Sequence, residues 1–310
     1  MNDNLDRVHA VLTGIPGFGE LAAKAYTTER LGGLTNLVYR IDTSEDRYVL
    51  RIPGKGTEDY IDRAVEMHNA RVAARADVSA EVIHADPASG VMLTRHIDGI
   101  VTMTPQAFAE REGAAARAGL AFKKMHDWSE PFEFRFELFA MIDEYLKILD
   151  RRKAELPEGY TDVVDAAQPV REALNSNPAE LAPCHCDPLC ENFLDSGERM
   201  WIVDWEYSGM NDPLWDLGDL SVEAGFTDAQ DRELIEAYCG GAPSESEFGR
   251  MIIYKAMCDL LWTLWGLIQH ADGNPAEDFW AYSIGRFERC QALMSGAGFG
   301  QHVSAVAKSA

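Results

Sequence analysis

One short stretch of the chain gathers acidic and amide side chains that could act on a phosphate group. In HCDPLCENF, Asp187 precedes Asn192, and the apolar run of RMWIVDWEY that follows is ended by Asp204. Oxygens from one Asn and one Asp suit Mg²⁺, which leaves its other positions to water and phosphate. Asp187 would then accept a proton from an incoming hydroxyl group. This division of roles is the one used in phosphoryl transfer.

The elements that follow residue 100 are expected to be mostly helical, with this loop among them. Apolar residues at helical spacing predict helices over 105–128, 134–156, 228–239, 246–270 and 276–294. The stretch 183–205 has the pattern of a loop with short strands. We expect Asp216, in PLWDLGDLS, to hold this loop by hydrogen bonds, with an N-cap role as the alternative. The ending SGAGFGQHVSAVAKSA predicts a frayed tail.

The first part of the chain predicts strands and one helix. Alternating patterns indicate strands at 37–42 and 47–54, and the Ser-Glu-Asp turn between them indicates a hairpin. Apolar residues at helical spacing predict a helix over 60–76. Two further strands are predicted at 80–86 and 90–99. The expected fold class is α+β, with two lobes. A small β-rich lobe would span 1–95, and a larger, mostly helical lobe would span 96–310.

The composition and charge of the chain are those of a globular protein and argue against several classes of protein. The chain has 310 residues, of which 46% are hydrophobic and 25% charged, as in globular proteins. Its net charge of −23 repels phosphate backbones, so we expect no nucleic-acid partner. The N-terminus lacks the pattern of a secretory signal. Lys255 and Asp259 interrupt the most apolar stretch, 251–268, which indicates a buried helix and no membrane span. We expect a cytoplasmic protein that is a monomer or homodimer.

The cysteines offer an alternative kind of site. Cys184, Cys186 and Cys190 lie close to His185, but the spacing C-x-C-x3-C differs from the usual C-x2-C of zinc sites. We expect small buried side chains and free thiols, as in a reducing compartment. A metal-storage or redox module built on these residues is the alternative, and it predicts zinc or iron in the purified protein.

These motifs together resemble the choline/ethanolamine kinase family, part of the aminoglycoside phosphotransferase group with a protein-kinase-like fold. The resemblance covers nearly the whole chain and implies ATP and Mg²⁺ as cofactors. It gives Asp187 the role of base and places Mg²⁺ on Asn192 and Asp204. His126, near the end of LAFKKMHDW, is expected to be structural. Leu189 stands where protein kinases carry a Lys, which favours a small acceptor over a protein.

The resemblance also assigns nucleotide-binding residues. LGGLTNLVYRI resembles the family's nucleotide loop, and YVLRIPG resembles the strand with a phosphate-binding cation, here an Arg. A helical Glu would pair with that Arg, although an ordinary surface ion pair is the alternative. The segment 92–99 resembles the hinge that meets adenine. The implied nucleotide-binding residues are Gly32, Gly33, Thr35, Asn36, Arg51 and Glu66.

The acceptor side carries the most specific resemblance. LLWTLWGLIQH followed by FWAYSIGRF resembles the C-terminal part of the choline/ethanolamine kinases, and DWEYSGMNDPLWDLGDLSVE resembles their D-[FW]-E-Y segment. Two Trp at helical spacing are more often core residues. The implied acceptor residues are Tyr207, Glu223, Trp262, Trp265 and Tyr282. Aromatic faces and an opposite charge suit a quaternary ammonium, which has no N–H to donate.

The expected function is phosphorylation of choline or a related amino alcohol such as ethanolamine. A kinase of the same fold that acts on an aminoglycoside, thiamine or homoserine is the nearest alternative. A kinase-like binding protein without turnover is less consistent with the presence of Asp187, Asn192 and Asp204 together.

Overall fold

The chain divides into two compact units. The structure is a computed structural model, and it describes residues 2–19, 26–32, 36–54 and 61–308. The first unit comprises Met1–Ile100 with Val203–Glu206, and the second comprises Val101–Ile202 with Tyr207–Ala310. A β-sheet dominates the first unit and helices dominate the second, which confirms the α+β class. The lobe boundary after residue 95 stays a prediction.

The first unit is built on an antiparallel sheet. Its strands are β1 (Thr27–Gly32), β2 (Leu37–Asp42), β3 (Arg47–Ile52), β4 (Val82–Asp86) and β5 (Val91–Arg95). Their order in the sheet is β1-β2-β3-β5-β4. The predicted hairpin joins β2 to β3, and the register pairs Val38 with Arg51.

Strand alternation separates the core of the first unit from its charged face. In β3, Leu50 and Ile52 are buried in the core, and Arg51 between them points to the other side. Helix α1 (Asn2–Gly14) contributes Leu12 and other apolar residues to the same core. The sheet therefore presents a cation on the face opposite to its apolar packing.

Helix α2 (Arg63–Arg75) brings a carboxylate to the sheet. Asp62 caps its N-terminus by accepting hydrogen bonds from Ala64 N at 3.0 Å and Val65 N at 3.2 Å. This cap fixes where the helix begins, so that Glu66 lies in its first turn. Glu66 is 1% exposed, which is rare for a carboxylate and implies a partner.

The second unit consists mainly of helices. They are α3 (Pro105–Glu110), α4 (Ala114–His126), α5 (Leu138–Arg152), α6 (Tyr160–Ala166), α7 (Gln168–Ser176), α8 (Leu214–Ala224), α9 (Asp228–Cys239), α10 (Glu245–Ala271), α11 (Phe279–Ser295) and α12 (Phe299–Ala307). Short strands accompany them: β6 (Val101–Thr102), β7 (Ala182–Cys184), β8 (Phe193–Asp195), β9 (Met200–Ile202) and β10 (Gly209–Asn211). They form two small sheets, ordered β6-β8-β9 and β10-β7.

Helix α10 forms the centre of the second unit. Its length and composition would allow a membrane span, but 89% of its most apolar window is buried inside the protein. The charges that interrupt it are also buried and paired. Lys255 Nζ lies 2.6 Å from Asp231 Oδ2, and Asp259 Oδ1 lies 2.6 Å from Arg289 Nη2. A core helix is therefore the correct interpretation, as the sequence predicts.

Two sequence predictions are wrong. The segment predicted to be a frayed tail contains α12, which buries Phe299 and Val306 and packs against α7 and α10. The helix predicted over 105–128 is broken between α3 and α4. Gly113 takes φ 71° there, a left-handed conformation that ends helical hydrogen bonding. Arg111 leaves the helix and donates to Asp195 at 2.7 Å.

Candidate active site

The first unit contains a group of charged side chains, the charged cluster, formed by Arg51, Arg63, Glu66, Asp204 and Glu206. Arg51 forms an ion pair with Glu66. Its Nη1 also lies 3.4 Å from carboxylate oxygens of Asp204 and Glu206. Arg63 Nη1 contacts Glu66 Oε2 at 2.8 Å and Glu206 Oε1 at 2.6 Å. The structure therefore contains the pairing that the sequence predicts for Arg51 and Glu66.

Arg51 retains hydrogen-bond donors for a ligand. Its Nε and Nη2 are buried and have no hydrogen-bond partner among the described residues. Burial alone would lower the pKa of Arg51, but Glu66 and the neighbouring carboxylates raise it above its ordinary value. A guanidinium group with two unused donors matches a pair of phosphate oxygens.

The segment after β9 supplies two carboxylates to this cluster. Asp204 has φ 70°, a conformation uncommon outside glycine. Trp205 is buried, and its Nε1 donates to Ser79 Oγ at 3.1 Å. With Trp205 anchored in the first unit, Asp204 and Glu206 on either side of it both reach Arg51. Asp204 remains 40% exposed, so its carboxylate is accessible to a metal ion.

The predicted nucleotide loop is only partly described. Gly32 takes φ 140°, which favours glycine, at an irregularity between β1 and β2. Gly33 and Thr35 lie outside the described residues. Asn36 is buried, and its Nδ2 donates to Glu206 Oε1 at 3.0 Å. The amide group of Asn36 therefore binds the charged cluster, a contact that the sequence does not predict.

In the second unit, Asp216 shapes the loop that carries Asp187. Its carboxylate is fully buried and accepts hydrogen bonds from His185 N at 2.7 Å and Cys186 N at 2.8 Å. Cys186 has φ 68°, and these bonds hold that uncommon backbone conformation. Pro213, and not Asp216, occupies the N-cap of α8. The loop-holding role expected of Asp216 is confirmed.

His126 supports the same carboxylate. It is buried, and its Nε2 and Nδ1 are hydrogen-bonded to Asp216 Oδ2 and the Tyr238 hydroxyl, each at 3.1 Å. Both ring nitrogens are thus used inside the protein. The geometry matches the structural role expected of His126.

Asp187 and Asn192 belong to one compact turn. Asp187 O accepts a hydrogen bond from Leu189 N at 2.9 Å, and a short 3-10 helix, Cys190–Asn192, follows. Asn192 Nδ2 donates to the same carbonyl at 3.2 Å. This bond uses the amide nitrogen of Asn192 within the loop, so its Oδ1 is the side-chain atom that could act as a metal ligand.

The four predicted aromatic acceptor residues form one continuous group, the aromatic cluster. Ring centroids are 5.3 Å apart for Tyr207 and Trp262, 6.2 Å for Trp262 and Trp265, and 6.0 Å for Trp265 and Tyr282. Trp265 Nε1 donates to the Tyr207 hydroxyl at 3.1 Å. Contacts between edges and faces at these distances fix the orientation of each ring.

The predicted carboxylate Glu223 lies beside this cluster, but it is already paired. Arg286 Nη1 lies 2.5 Å from Glu223 Oε1, and its guanidinium group stacks 4.6 Å from the centre of the Tyr282 ring. Arg286 also contacts Asp259 at 3.2 Å. The charge of Glu223 is thus balanced by Arg286, and the sequence does not predict this ion pair.

Asp187 lies within electrostatic range of the aromatic cluster. Burial raises the pKa of Tyr282, and the charges of Arg286, Glu223 and Asp187 also act on it. Asp187 thus shares a region with the acceptor residues of the second unit. A proton acceptor near a group of aromatic faces could serve a hydroxyl carried by an organic cation.

The environment of the cysteines bears on the alternative of a metal site built on them. All six are free, and Cys184, Cys186 and Cys190 are buried. Among the described residues, their thiols form no group of possible ligand atoms with His185, but Cys184 lies with His126 and Asp216 in one buried group of such atoms. Burial raises the pKa of each of these thiols, which makes them poor metal ligands. The predicted structural role fits this environment.

Sequence reasoning missed Arg63, Glu206, Asp219 and Arg286. Two signals were available: Glu206 follows Asp204 at the spacing that puts two side chains on one side of an extended segment, and Arg286 follows Tyr282 by one helical turn. Arg63 precedes Glu66, and Asp219 precedes Glu223, by about one helical turn, so helical spacing offered a signal for these two residues as well.

Comparison with known proteins shows which family the chain resembles. Residues 27–251 match the model of the phosphotransferase enzyme family. A choline/ethanolamine kinase family protein from Mesorhizobium loti, known from a crystal structure, is 60% identical over 98% of this chain and 99% of its own, with a TM-score of 0.90.

More distant relatives agree. The choline kinase LicA from Streptococcus pneumoniae is 26% identical over 89% of this chain and 96% of its own, with a TM-score of 0.74. A structure of LicA in complex with AMP is also known. Ethanolamine kinase 1 from Mus musculus is 26% identical over 83% of this chain and 80% of its own length. The chain therefore belongs to the phosphotransferase enzyme family and, within it, to the choline/ethanolamine kinase family.

Proposed function

We propose that this protein is an ATP- and Mg²⁺-dependent kinase that phosphorylates the hydroxyl group of choline or a related amino alcohol such as ethanolamine. The observation that carries the proposal is the aromatic cluster in electrostatic range of Asp187. The family relationship and the kinase names of the relatives support the reaction type.

The nucleotide side of the reaction is assigned to the charged cluster and Asn192. Arg51 offers its unpartnered Nε and Nη2 to phosphate oxygens. Asp204 and Asn192 Oδ1 are hard oxygen ligands of the kind Mg²⁺ takes. When bound, Mg²⁺ neutralises charge on the phosphates of ATP. Glu66 holds Arg51 in place, and Arg63 offsets part of the negative charge of Glu66 and Glu206.

Asp187 is assigned as the base. Its carboxylate orients the acceptor hydroxyl and takes its proton as the oxygen attacks the γ-phosphorus of ATP, and ADP leaves. The two main-chain hydrogen bonds to Asp216 hold the loop that carries Asp187. A base on a fixed loop reacts without first having to be ordered.

The acceptor is assigned to the aromatic cluster. A quaternary ammonium binds to aromatic faces with about 0.5–2 kcal/mol for each face when desolvated. Because Glu223 is paired with Arg286, its attraction for a cation is reduced relative to that of a free carboxylate. The aromatic faces and Asp187 therefore contribute most of the selection for a cationic head group.

We also place the protein in the cytoplasm. ATP is an intracellular cosubstrate, and six free cysteines suit a reducing compartment.

The test is ADP release in the presence of ATP and Mg²⁺, with choline, ethanolamine and a panel of aminoglycosides as acceptors. We expect turnover on an amino alcohol, and its loss in Trp262→Ala with ATP binding intact. Trp128→Ala, an exposed tryptophan elsewhere in the second unit, is the matched control. Turnover on aminoglycosides and on no amino alcohol would contradict the proposal.

A further inference from the structure

Asp219 is a fully buried carboxyl group in the second unit that no step of the reaction above uses. It lies on α8, one helical turn before Glu223. The Cys258 thiol donates to its Oδ1 at 3.0 Å. Its Oδ2 is buried and has no hydrogen-bond partner in the described part of the chain. Half of this carboxyl group is thus unsatisfied, which is costly in a native interior unless a ligand or proton compensates.

The groups that face Asp219 come from its own helix and from four other elements. Glu223 shares its helix, and Asp187 acts on it from the loop after β7. The thiols of Cys186, Cys190 and Cys258 are neutral neighbours from the loop, the 3-10 helix and α10. Arg286 on α11 is the nearby cation, but it contacts Glu223 and Asp259. The ion pairs of the described residues include none to Asp219.

These contacts determine which form of Asp219 is stable in the empty site. An ionised carboxylate without a cation or strong donor is unfavourable in a buried position, and two further carboxylates oppose it. Burial, Glu223 and Asp187 accordingly raise the pKa of Asp219 well above its ordinary value. The environment of Glu223 differs from that of Asp219, because Glu223 forms an ion pair with Arg286.

We propose that Asp219 is a proton-exchanging residue of the acceptor site, which holds a proton when the site is empty and releases it when a cationic acceptor binds near Asp187 and the aromatic cluster. The inference rests on the function proposed above. The arriving positive charge takes the place of the proton in balancing the carboxylates. Proton and cation therefore compete for the same electrostatic environment.

This coupling has a defined sign. While Asp219 is protonated in the empty site, raising the pH removes the competing proton and strengthens binding. For one linked proton, the KM for choline falls by up to about tenfold for each pH unit. An uncharged acceptor of the same shape gains nothing from an ionised Asp219, so its binding should not strengthen in this way.

Calorimetry of choline binding at neutral pH, repeated in buffers with different ionisation enthalpies, tests the proposal. Choline is a suitable probe because its quaternary nitrogen carries no ionisable proton, so every released proton comes from the protein. We expect up to one proton per bound choline from the wild type. The uncharged carbon analogue of choline should release none.

Two variants test whether the released proton comes from Asp219. Asp219→Asn keeps the shape of the side chain and should release no proton, with a KM for choline that no longer falls as the pH rises. Asp165→Asn, the same change at an exposed position on α6, should behave as the wild type.

Three outcomes overturn the inference. The wild type could phosphorylate choline and release no proton on binding, or release could persist in Asp219→Asn. Failure of choline both to bind and to be phosphorylated would overturn the proposed function as well, and only that failure would do so.

Discussion

The charged cluster and the aromatic cluster solve two different recognition problems. In the charged cluster, Arg51 and Arg63 lie among three carboxylates, and two donor atoms of Arg51 have no partner among the residues that the structure describes. In the aromatic cluster, rings touch edge to face, and the neighbouring carboxylate Glu223 is neutralised by Arg286. One region offers fixed charge, and the other offers aromatic faces.

This difference indicates which kind of ligand each cluster can select. Fixed guanidinium donors match phosphate oxygens in number and direction. Aromatic faces attract a cation that has no hydrogens to donate, and they impose its size and shape. Substitutions in the charged cluster should therefore act on the binding of ATP, and those in the aromatic cluster on the binding of the acceptor. A substitution of the base should act mainly on kcat and leave the affinity for ATP unchanged.

The largest effect is expected for the base. Asp187→Asn removes the proton acceptor but keeps the shape of the side chain, so kcat should fall by about 10²–10⁴-fold. ATP binding should be unchanged, as measured by titration of the nucleotide with Mg²⁺. Glu191→Gln, an exposed neighbour in the same loop, should keep wild-type turnover. Wild-type turnover in Asp187→Asn would remove Asp187 from its assigned role.

The next effect concerns the charged cluster. Arg51→Met removes the phosphate contact, and Glu66 keeps Arg63 at 2.8 Å as a partner. Losing hydrogen bonds to a charged group should raise the KM for ATP by about 10–100-fold and leave the KM for choline unchanged. Steady-state kinetics with each substrate varied in turn measures both.

The control for this change lies in the same sheet. Arg40 on β2 pairs with Glu29 and Asp42, and Arg40→Met should leave both KM values near those of the wild type. If Arg51→Met raised the two KM values equally, the separation of the two recognition regions would be wrong.

Much of this arrangement was predictable because it depends on local pattern. Alternation in β2 and β3 placed Arg51 on the strand face away from the core, and helical spacing placed Trp262 and Trp265 on one side of α10. The short spacing of Asp187 and Asn192 fits the turn that the structure contains. A pattern within one strand, helix or turn predicts the structure well, because the residues that form it are close in the sequence.

The remaining features depend on contacts between distant parts of the chain. Arg63 contacts Glu206, and Arg286 neutralises Glu223, through spatial proximity that periodicity does not encode. The tail became α12 because α7 and α10 offered it a surface for Phe299. A nine-residue helix gains most of its stability from such packing, so its own sequence gave a weak signal.

A smaller effect is expected within the aromatic cluster. Trp265→Leu removes an aromatic face, and Trp265→Phe keeps one. Both lose the same hydrogen bond to the Tyr207 hydroxyl, so their difference isolates the face. The KM for choline should be about 2–30-fold higher in Trp265→Leu than in Trp265→Phe, with equal KM values for ATP. Equal KM values for choline would show that the ring face does not hold the cation.

The smallest effect on activity is expected at Asp195, a buried carboxylate outside both clusters. It accepts hydrogen bonds from Arg111 Nε and Arg117 Nε at 2.7 Å each. Burial alone would raise the pKa of Asp195, but Arg117 and Arg111 hold it below its ordinary value. A lowered folded-state pKa stabilises the protein above the unfolded pKa, and this stability is lost as pH falls through the folded pKa.

Arg111→Ala should therefore lower the free energy of unfolding by about 1–2 kcal/mol at neutral pH and leave both KM values unchanged. The loss should begin to shrink as the pH falls below about 4, the ordinary pKa of an Asp side chain, and should continue to shrink down to the lower folded-state pKa of Asp195. Urea unfolding on both sides of that pH measures it, with Arg151→Ala, which removes only an exposed pair with Glu144, as the control. A loss that is the same at both pH values would mean that Arg111 stabilises the chain by packing and not through the charge of Asp195. A shift in either KM would instead tie this carboxylate to one of the two recognition regions.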